Sequence, residues 1–210
     1  MDIYQKRYLE YQESKKNMVA TEEKTLYSDT EIGPLFDIMY KRRSQRLFNG
    51  ERISNEDIIT LVNAASASPS SCNRMAIGIK IIRSKAELEL LSELLVGGAG
   101  WISKADAVFL LLANMAAYKS PAEVAFMPYL DAGFIAQNIY LASEATGIGA
   151  CFVNPNVRAE NEEEFNSLFV PSKHRFCGAM ALGLYDFREE RKPHKNVSIK
   201  ENWSGNEYTI

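Results

Sequence analysis

The chain has 210 residues, 46% hydrophobic and 24% charged, with a formal net charge of -3. That balance fits a globular domain with a sizeable core, and the slight acidity argues against a general nucleic-acid binder. No apolar run reaches the ~20 residues that span a bilayer, and three cysteines and two histidines are too few and too spread for a disulfide framework or a histidine-rich metal centre.

Residues 1–33 are polar and charged, with Ile3, Tyr4, Tyr8, Leu9 and Tyr11 at helix-like intervals. They read as an N-terminal arm, with a partner subunit or a frayed terminus as the alternatives. The arm lacks the apolar segment of a signal peptide, so a reducing cytoplasm is the expected location. From Pro34 the signals strengthen. "PLFDIMYKRR" predicts a helix with proline in its first turn, Leu35, Ile38 and Met39 on one stripe, and cations at its end. "SNEDIITLVNAASAS" predicts a second helix, N-capped by Ser54 with Asp57 three residues on, burying Ile58, Leu61, Val62 and Ala65.

"PSSCNR" breaks that helix, "AIGIKIIRS" alternates as a strand does, and "KAELELLSELL" is helical again until "VGGAG". "ADAVFLLLAN" is short, continuous and apolar, a buried strand. A long helix is expected over residues 127–146, with Leu130, Phe134, Ile135, Asn138, Leu141, Ala142 and Ala145 inward and Gly147 at its C-cap. "GACFVNP" reads as a strand, "EEEFNSLFV" as a helix with a solvated acidic face, and "FCGAMALGLYDF" as a strand rich in small residues. Strands and helices alternate without regular βαβ units, and neither a GxGxxG fingerprint after a strand nor a phosphate-binding GxxxxGK[ST] loop is present.

Catalytic side chains are scarce. Ser70-Ser71 has no nucleophile-elbow context, and Cys151 lies in a strand pattern, where it reads as a small buried hydrophobe. A reactive group brought in from outside would explain the scarcity. Three patches could hold one. "KRRSQR" (41–46) supplies Arg42, Arg43, Ser44 and Arg46, which suit a phosphate and equally suit a cationic helix cap, the favoured local reading. "SASPSSCN" puts hydroxyls and the Asn73 amide on a turn, which ordinary turn chemistry also selects. "REERKP" adds Arg188, Arg191 and Lys192.

Taken in this order, over about residues 34–200, these patches resemble the nitroreductase family of flavoproteins. The resemblance rests on RRSxRxF, a helix ending in A-S-P-S-S-x-N, the "WISKADAVFL" segment, a long helix, Gly-x-Gly at 147–149, and Arg191 two residues before Pro193. It implies an α+β fold, a central and mostly antiparallel sheet wrapped by helices, in an intertwined homodimer with FMN at the interface. It divides the chain into the arm (1–33), an FMN-binding domain (34–200) and a C-terminal tail (201–210). It assigns Arg42, Ser44 and Arg46, with Arg43 in the same run, to phosphate, ribityl or ring contacts. Pro69, Ser70, Ser71 and Asn73 would line the site, several of them from the partner subunit. The stretch Cys151, Phe152, Val153 and Asn154 would pass near the redox face, and Arg191 would close on the phosphate. Lys41 and Gln45 are expected to be ordinary surface.

Departures from the family pattern are informative. Arg74 and Met75 stand where a Gln-Pro-Trp stretch often continues, so Arg74 could bind an anionic substrate or pair with a carboxylate. Asn154-Pro155 stands where one branch has a Glu-Gly pair whose backbone donates to flavin N5, and Pro155 has no N–H. Glu189 takes the place of a basic residue of one branch. The resemblance implies an NADH- or NADPH-dependent ping-pong oxidoreductase passing two electrons to a nitroaromatic, quinone or enone, with no metal, nucleic-acid or membrane partner. A flavin-binding store or sensor with little turnover is the alternative.

Overall fold

The computed structural model describes Lys6, residues 32–189 and the backbone of two short strands near the C-terminus. The expected arm helix, Arg191 and most of the tail lie outside the described residues. The elements are α1 (Gly33–Lys41), α2 (Asn55–Ser66), β1 (Ile77–Ile82), α3 (Lys85–Leu94), β2 (Ala107–Asn114), α4 (Pro121–Thr146), β3 (Gly149–Val153), α5 (Glu162–Phe169), β4 (His174–Gly183), β5 (Ser198–Lys200) and β6 (Glu207–Thr209).

The four longer strands form one sheet in the order β1-β2-β4-β3, every pair antiparallel. β5 and β6 pair separately. Side-chain alternation divides β2 between two cores. Val108, Leu110 and Leu112 join Leu88, Leu91, Trp101, Phe165 and Phe169 on the face covered by α3 and α5. Phe109, Leu111 and Ala113 join Leu61, Ala132, Ala136 and Ile139 on the face covered by α2 and α4. Cover on both faces is why β2 is apolar without a break.

Local chemistry places the helix ends as expected. The Ser54 hydroxyl accepts from the Asp57 N–H, and Gly147 stops α4 in the left-handed conformation at φ 73°. Helix α4 starts earlier than expected. It begins at Pro121 rather than near residue 127, capped by the Ser120 hydroxyl, and it runs through Pro128. Proline leaves the carbonyl of Val124, four residues back, without its helical donor. The Arg175 guanidinium, reaching from β4, donates to that carbonyl instead.

The inward face of α4 also differs. Its buried residues are Pro128, Asp131, Ala132, Ala136, Ile139 and Ser143, whereas Leu130 and Phe134 are 47% and 45% exposed. The helix is apolar on two sides, so periodicity alone could not tell which side the sheet would take. Small residues won because they let the helix lie close on the sheet. The larger side chains, Phe126, Leu130 and Phe134 at four-residue spacing, and Leu35 and Met39 on α1, are left exposed by the described residues.

Arg175→Ala should destabilise the fold by about 1–3 kcal/mol, because it leaves the Val124 carbonyl unpaired in a partly buried place. Urea unfolding measures this, and an unchanged midpoint would mean that water replaces the guanidinium.

Candidate functional site

The 42–48 segment leaves α1 in extended form and lies against β3. Ser44 forms a parallel bridge with Ala150, and the Gln45 N–H donates to the Ala150 carbonyl at 2.9 Å. Extended backbone sends alternate side chains to opposite sides. Gly149 makes room for this: a Cβ there would sit 2.8 Å from the Gln45 side chain and 2.9 Å from Tyr185.

Arg42 stacks on the Tyr140 ring, 4.8 Å from its centroid. The Tyr140 hydroxyl accepts from the Phe152 N–H at 2.6 Å and lies 3.1 Å from the Ser44 hydroxyl. Burial, more than any charge nearby, pushes its ionisation up, so it stays a hydroxyl. Arg46 lies over Trp101 at 5.9 Å from the ring centroid. Arg43 turns back and donates to the carbonyls of Tyr40 and Lys41 at the end of α1, at 2.8 and 2.9 Å. Thus Arg42, Ser44 and Arg46 are brought together as a cationic wall, and Arg43 caps the helix.

Gln45 is not surface. It is 2% exposed, which overturns the expectation from its charged neighbourhood. Its amide donates to the Phe187 carbonyl at 2.7 Å, and its side-chain oxygen accepts from the Glu189 N–H at 2.9 Å. Glu189 is itself 5% exposed, and its carboxylate accepts from the backbone N–H groups of Arg46 and, at 3.2 Å, Leu47. Lys41 is exposed and pairs with Asp37 at 2.6 Å. Arg188 bonds the Lys41 carbonyl and pairs with Glu144 of α4. The 184–189 segment is thereby fastened to the wall.

The second patch is a strained turn. Cys72, Asn73 and Met75 have φ of 51°, 53° and 49°. Three non-glycine residues in the left-handed region within four positions cost free energy that the surroundings must offset. The Ser70 hydroxyl accepts from the Met75 N–H at 2.9 Å, and the Ser71 N–H donates to buried Asp131 at 2.8 Å. The other Asp131 oxygen accepts from Tyr118 at 2.9 Å. Pro69, Ser70, Ser71 and Asn73 therefore lie together, held by α4.

Arg74, next in the turn, pairs with Glu123 at 3.0 Å. That hydrogen bond holds the Glu123 carboxyl down at about 2 and raises Arg74. The Nη1 atom of Arg74 is buried and has no partner among the described residues. Both readings of Arg74 thus have a physical basis: it is paired, and it keeps donor capacity.

The β3 stretch divides by alternation. Cys151 and Val153 are buried in the core, Phe152 is half-buried, and Asn154 is exposed. Burial pushes the Cys151 thiol up, so it is a neutral core group. Phe152 packs over Gly178, where an added Cβ would come within 2.3 Å of the ring. Sequence reading gave no site role to Tyr140 and Asp131, took Gln45 for surface, and saw in Glu189 only a departure from a basic residue. Strand-like alternation through 42–47 was the signal available for Gln45; Tyr140 and Asp131 were hidden inside a helix that looked uniformly apolar.

The two patches meet different stations of α4. Asp131 and Tyr140 are nine residues apart, about 13 Å along a helix axis. Among the described residues there is no group of His, Cys, Asp or Glu that could hold a metal, and no helix long and apolar enough to cross a membrane.

An antiparallel sheet covered by helices on both faces, with a cationic segment docked on its β3 edge, is a nitroreductase-type α+β fold. The family model of the nitroreductase family matches residues 39–99 and 96–184, and the chain belongs to that family. It is 26% identical over 185 residues to an FMN reductase (NADPH) of Bacillus subtilis, covering 79% of this chain and 72% of that protein. An FMN-dependent nitroreductase of Clostridium difficile R20291 superposes with TM-score 0.62 at 24% identity, over 75% of this chain and 90% of that one. A nitroreductase family protein of Streptococcus pneumoniae TIGR4 gives 0.67 at 17% identity, over 77% and 95%.

Burial raises the Glu189 carboxyl to about 7, against the two backbone N–H donors that lower it. A raised carboxyl binds its proton more tightly in the folded state, so stability is fully present below the ordinary carboxyl range. It falls as pH rises from about 4.5 through about 7, then levels off. Thermal unfolding of Glu189→Gln against the parent should therefore agree near the lower end and diverge in the variant's favour by neutrality. Parallel curves would remove Glu189 as the titrating group.

Proposed function

We propose that the chain is an NAD(P)H-dependent flavin oxidoreductase that binds FMN at the interface of a homodimer. The observation that carries the reading is the pair of patches at separate stations of α4 with an uncovered apolar face, Phe126, Leu130 and Phe134, on the same helix. A second copy seated on that face would cover it and bring the strained turn of one subunit to the cationic wall of the other.

The residues fit the cofactor. Arg42 has no ion-pair partner among the described residues, and Arg46 and Ser44 stand beside it on one extended segment. Such a set suits a dianionic phosphate and its ribityl chain, each charge-assisted contact contributing about 1.5–3 kcal/mol. FMN, when bound, supplies the redox centre that takes a hydride from NADH or NADPH and delivers two electrons to an acceptor such as a nitroaromatic, quinone or enone. The chain's own side chains bind and orient. Arg42, Ser44 and Arg46 hold the anionic end, Arg191 adds a cation to it, and Asn73 meets the ring edge. Pro69, Ser70 and Ser71 shape the pocket, while the stretch Cys151 to Asn154 backs it. The free donor capacity of Arg74 suits a negatively charged substrate.

One feature favours a second reading, a flavin store or sensor with little turnover. Pro155 cannot donate a backbone hydrogen bond, so the only such donor at that turn is Asn154 or its neighbours.

The purified protein should be yellow, and anaerobic NADH or NADPH should bleach its flavin band, with recovery on adding a quinone or nitroaromatic. A yellow protein that neither nucleotide reduces would favour the store; a colourless one that takes up no FMN would end both readings. Arg42→Ala should weaken FMN binding by about tenfold or more, as loss of one charge-assisted contact requires. Fluorescence titration measures it, and unchanged affinity would remove Arg42 from the phosphate site.

A further inference from the structure

We infer that Glu189, latched by Gln45, is a positioning and charge-regulating residue: it presets the backbone and guanidinium of Arg46 and sets how much positive charge the wall presents to an anionic ligand. The inference rests on the flavin reading above for the identity of that ligand.

The geometry is reciprocal. Gln45 and Glu189 sit on two segments that are far apart in sequence and meet only in the fold. The Gln45 side-chain oxygen receives the Glu189 N–H at 2.9 Å, and the Glu189 carboxylate receives the N–H groups of Arg46 and Leu47, the residues that follow Gln45. One carboxylate oxygen thereby holds two successive backbone donors, which is how a bound anion is usually held by a chain. The second oxygen lies 3.6 Å from the Arg46 guanidinium. Arg46 is consequently held at its backbone by Glu189, with its guanidinium in ion-pair range of the same carboxylate.

Burying a carboxylate is costly unless it is fully paired, and a half-paired one is worse than an apolar residue. The charged or titratable groups around Glu189 are few. Arg46 belongs to the wall. Cys151, on β3 near Arg46, is a neutral thiol. On the 184–189 segment, Asp186 accepts from Asn49 and Arg188 pairs with Glu144. Arg46 is therefore the one cation that meets Glu189 among the described residues. Burial holds the Glu189 carboxyl near the middle of the physiological range. Neutral, it leaves the Arg46 charge to the ligand. Ionised, it offsets that charge.

The test is FMN titration, followed by quenching of flavin fluorescence, for the parent, Glu189→Gln and Glu189→Ala across the neutral range. The phosphate of FMN changes its own charge near the same pH, so the ratio of parent to Glu189→Gln dissociation constants is the quantity to read. Glutamine keeps an acceptor for the two N–H groups and removes the charge. The ratio should be near one below about pH 6 and rise to about fivefold or more above about pH 8, the size expected of one partly screened charge a few ångströms from the ligand. Alanine removes the acceptor, and should bind FMN more weakly than glutamine at every pH. A ratio that does not change with pH, or equal affinities for the alanine and glutamine variants, overturns the inference while leaving the flavin reading intact. A parent protein that takes up no FMN at any pH overturns both. Should the alanine variant fail to fold, the pH dependence of the glutamine ratio decides alone.

Discussion

The hydrogen bond from the Gln45 N–H to the Ala150 carbonyl is the contact on which the site depends. With the parallel bridge of Ser44 to Ala150, it ties the 42–48 segment to β3, the last strand of an otherwise antiparallel sheet. Once the backbone is fixed there, alternation sorts the side chains. Arg42, Ser44 and Arg46 form the wall, while Gln45 is driven inward to face Phe187 and Glu189. A charged segment held only by solvent could not keep three polar groups in one arrangement. The entropy of ordering long cationic side chains is offset here by backbone pairing and by stacking on Tyr140 and Trp101.

Helix α4 links that wall to everything else. Its small residues press on the sheet, its hydroxyl at Tyr140 supports Ser44 and the Phe152 N–H, and its carboxylate at Asp131 fastens the strained turn. The opposite side of the same helix carries large apolar groups that the described chain leaves uncovered. Exposed apolar stripes of this kind usually mark an interface. The helix is thus shared between a core and a second surface. Its interior proline is tolerated because Arg175 takes over the orphaned carbonyl.

Much of this was legible beforehand where the signal is local. The Ser54 cap, the Gly147 stop, the β2 run and the exposed Glu162–Phe169 acidic face all follow from contacts within a few residues, and each appeared as expected. The order of RRSxR, the S-P-S-S-x-N turn and the long helix was enough to point to the family. The start of α4 was misplaced because Pro128 disrupts the local pattern, and its compensation comes from β4, 47 positions on, the difference between 175 and 128.

By itself the sequence determined element types, their order and the presence of three polar patches, because capping, turn chemistry and periodicity act over short distances. Only the tertiary structure decided which face of α4 meets the sheet, since both faces are apolar and the choice rests on how closely small residues allow it to approach. It alone decided that Arg43 caps a helix while Arg42 and Arg46 form a wall. And it alone turned Gln45 from a residue in a charged run into a buried one, because its partners, Phe187 and Glu189, come from a part of the chain that nothing local connects to it.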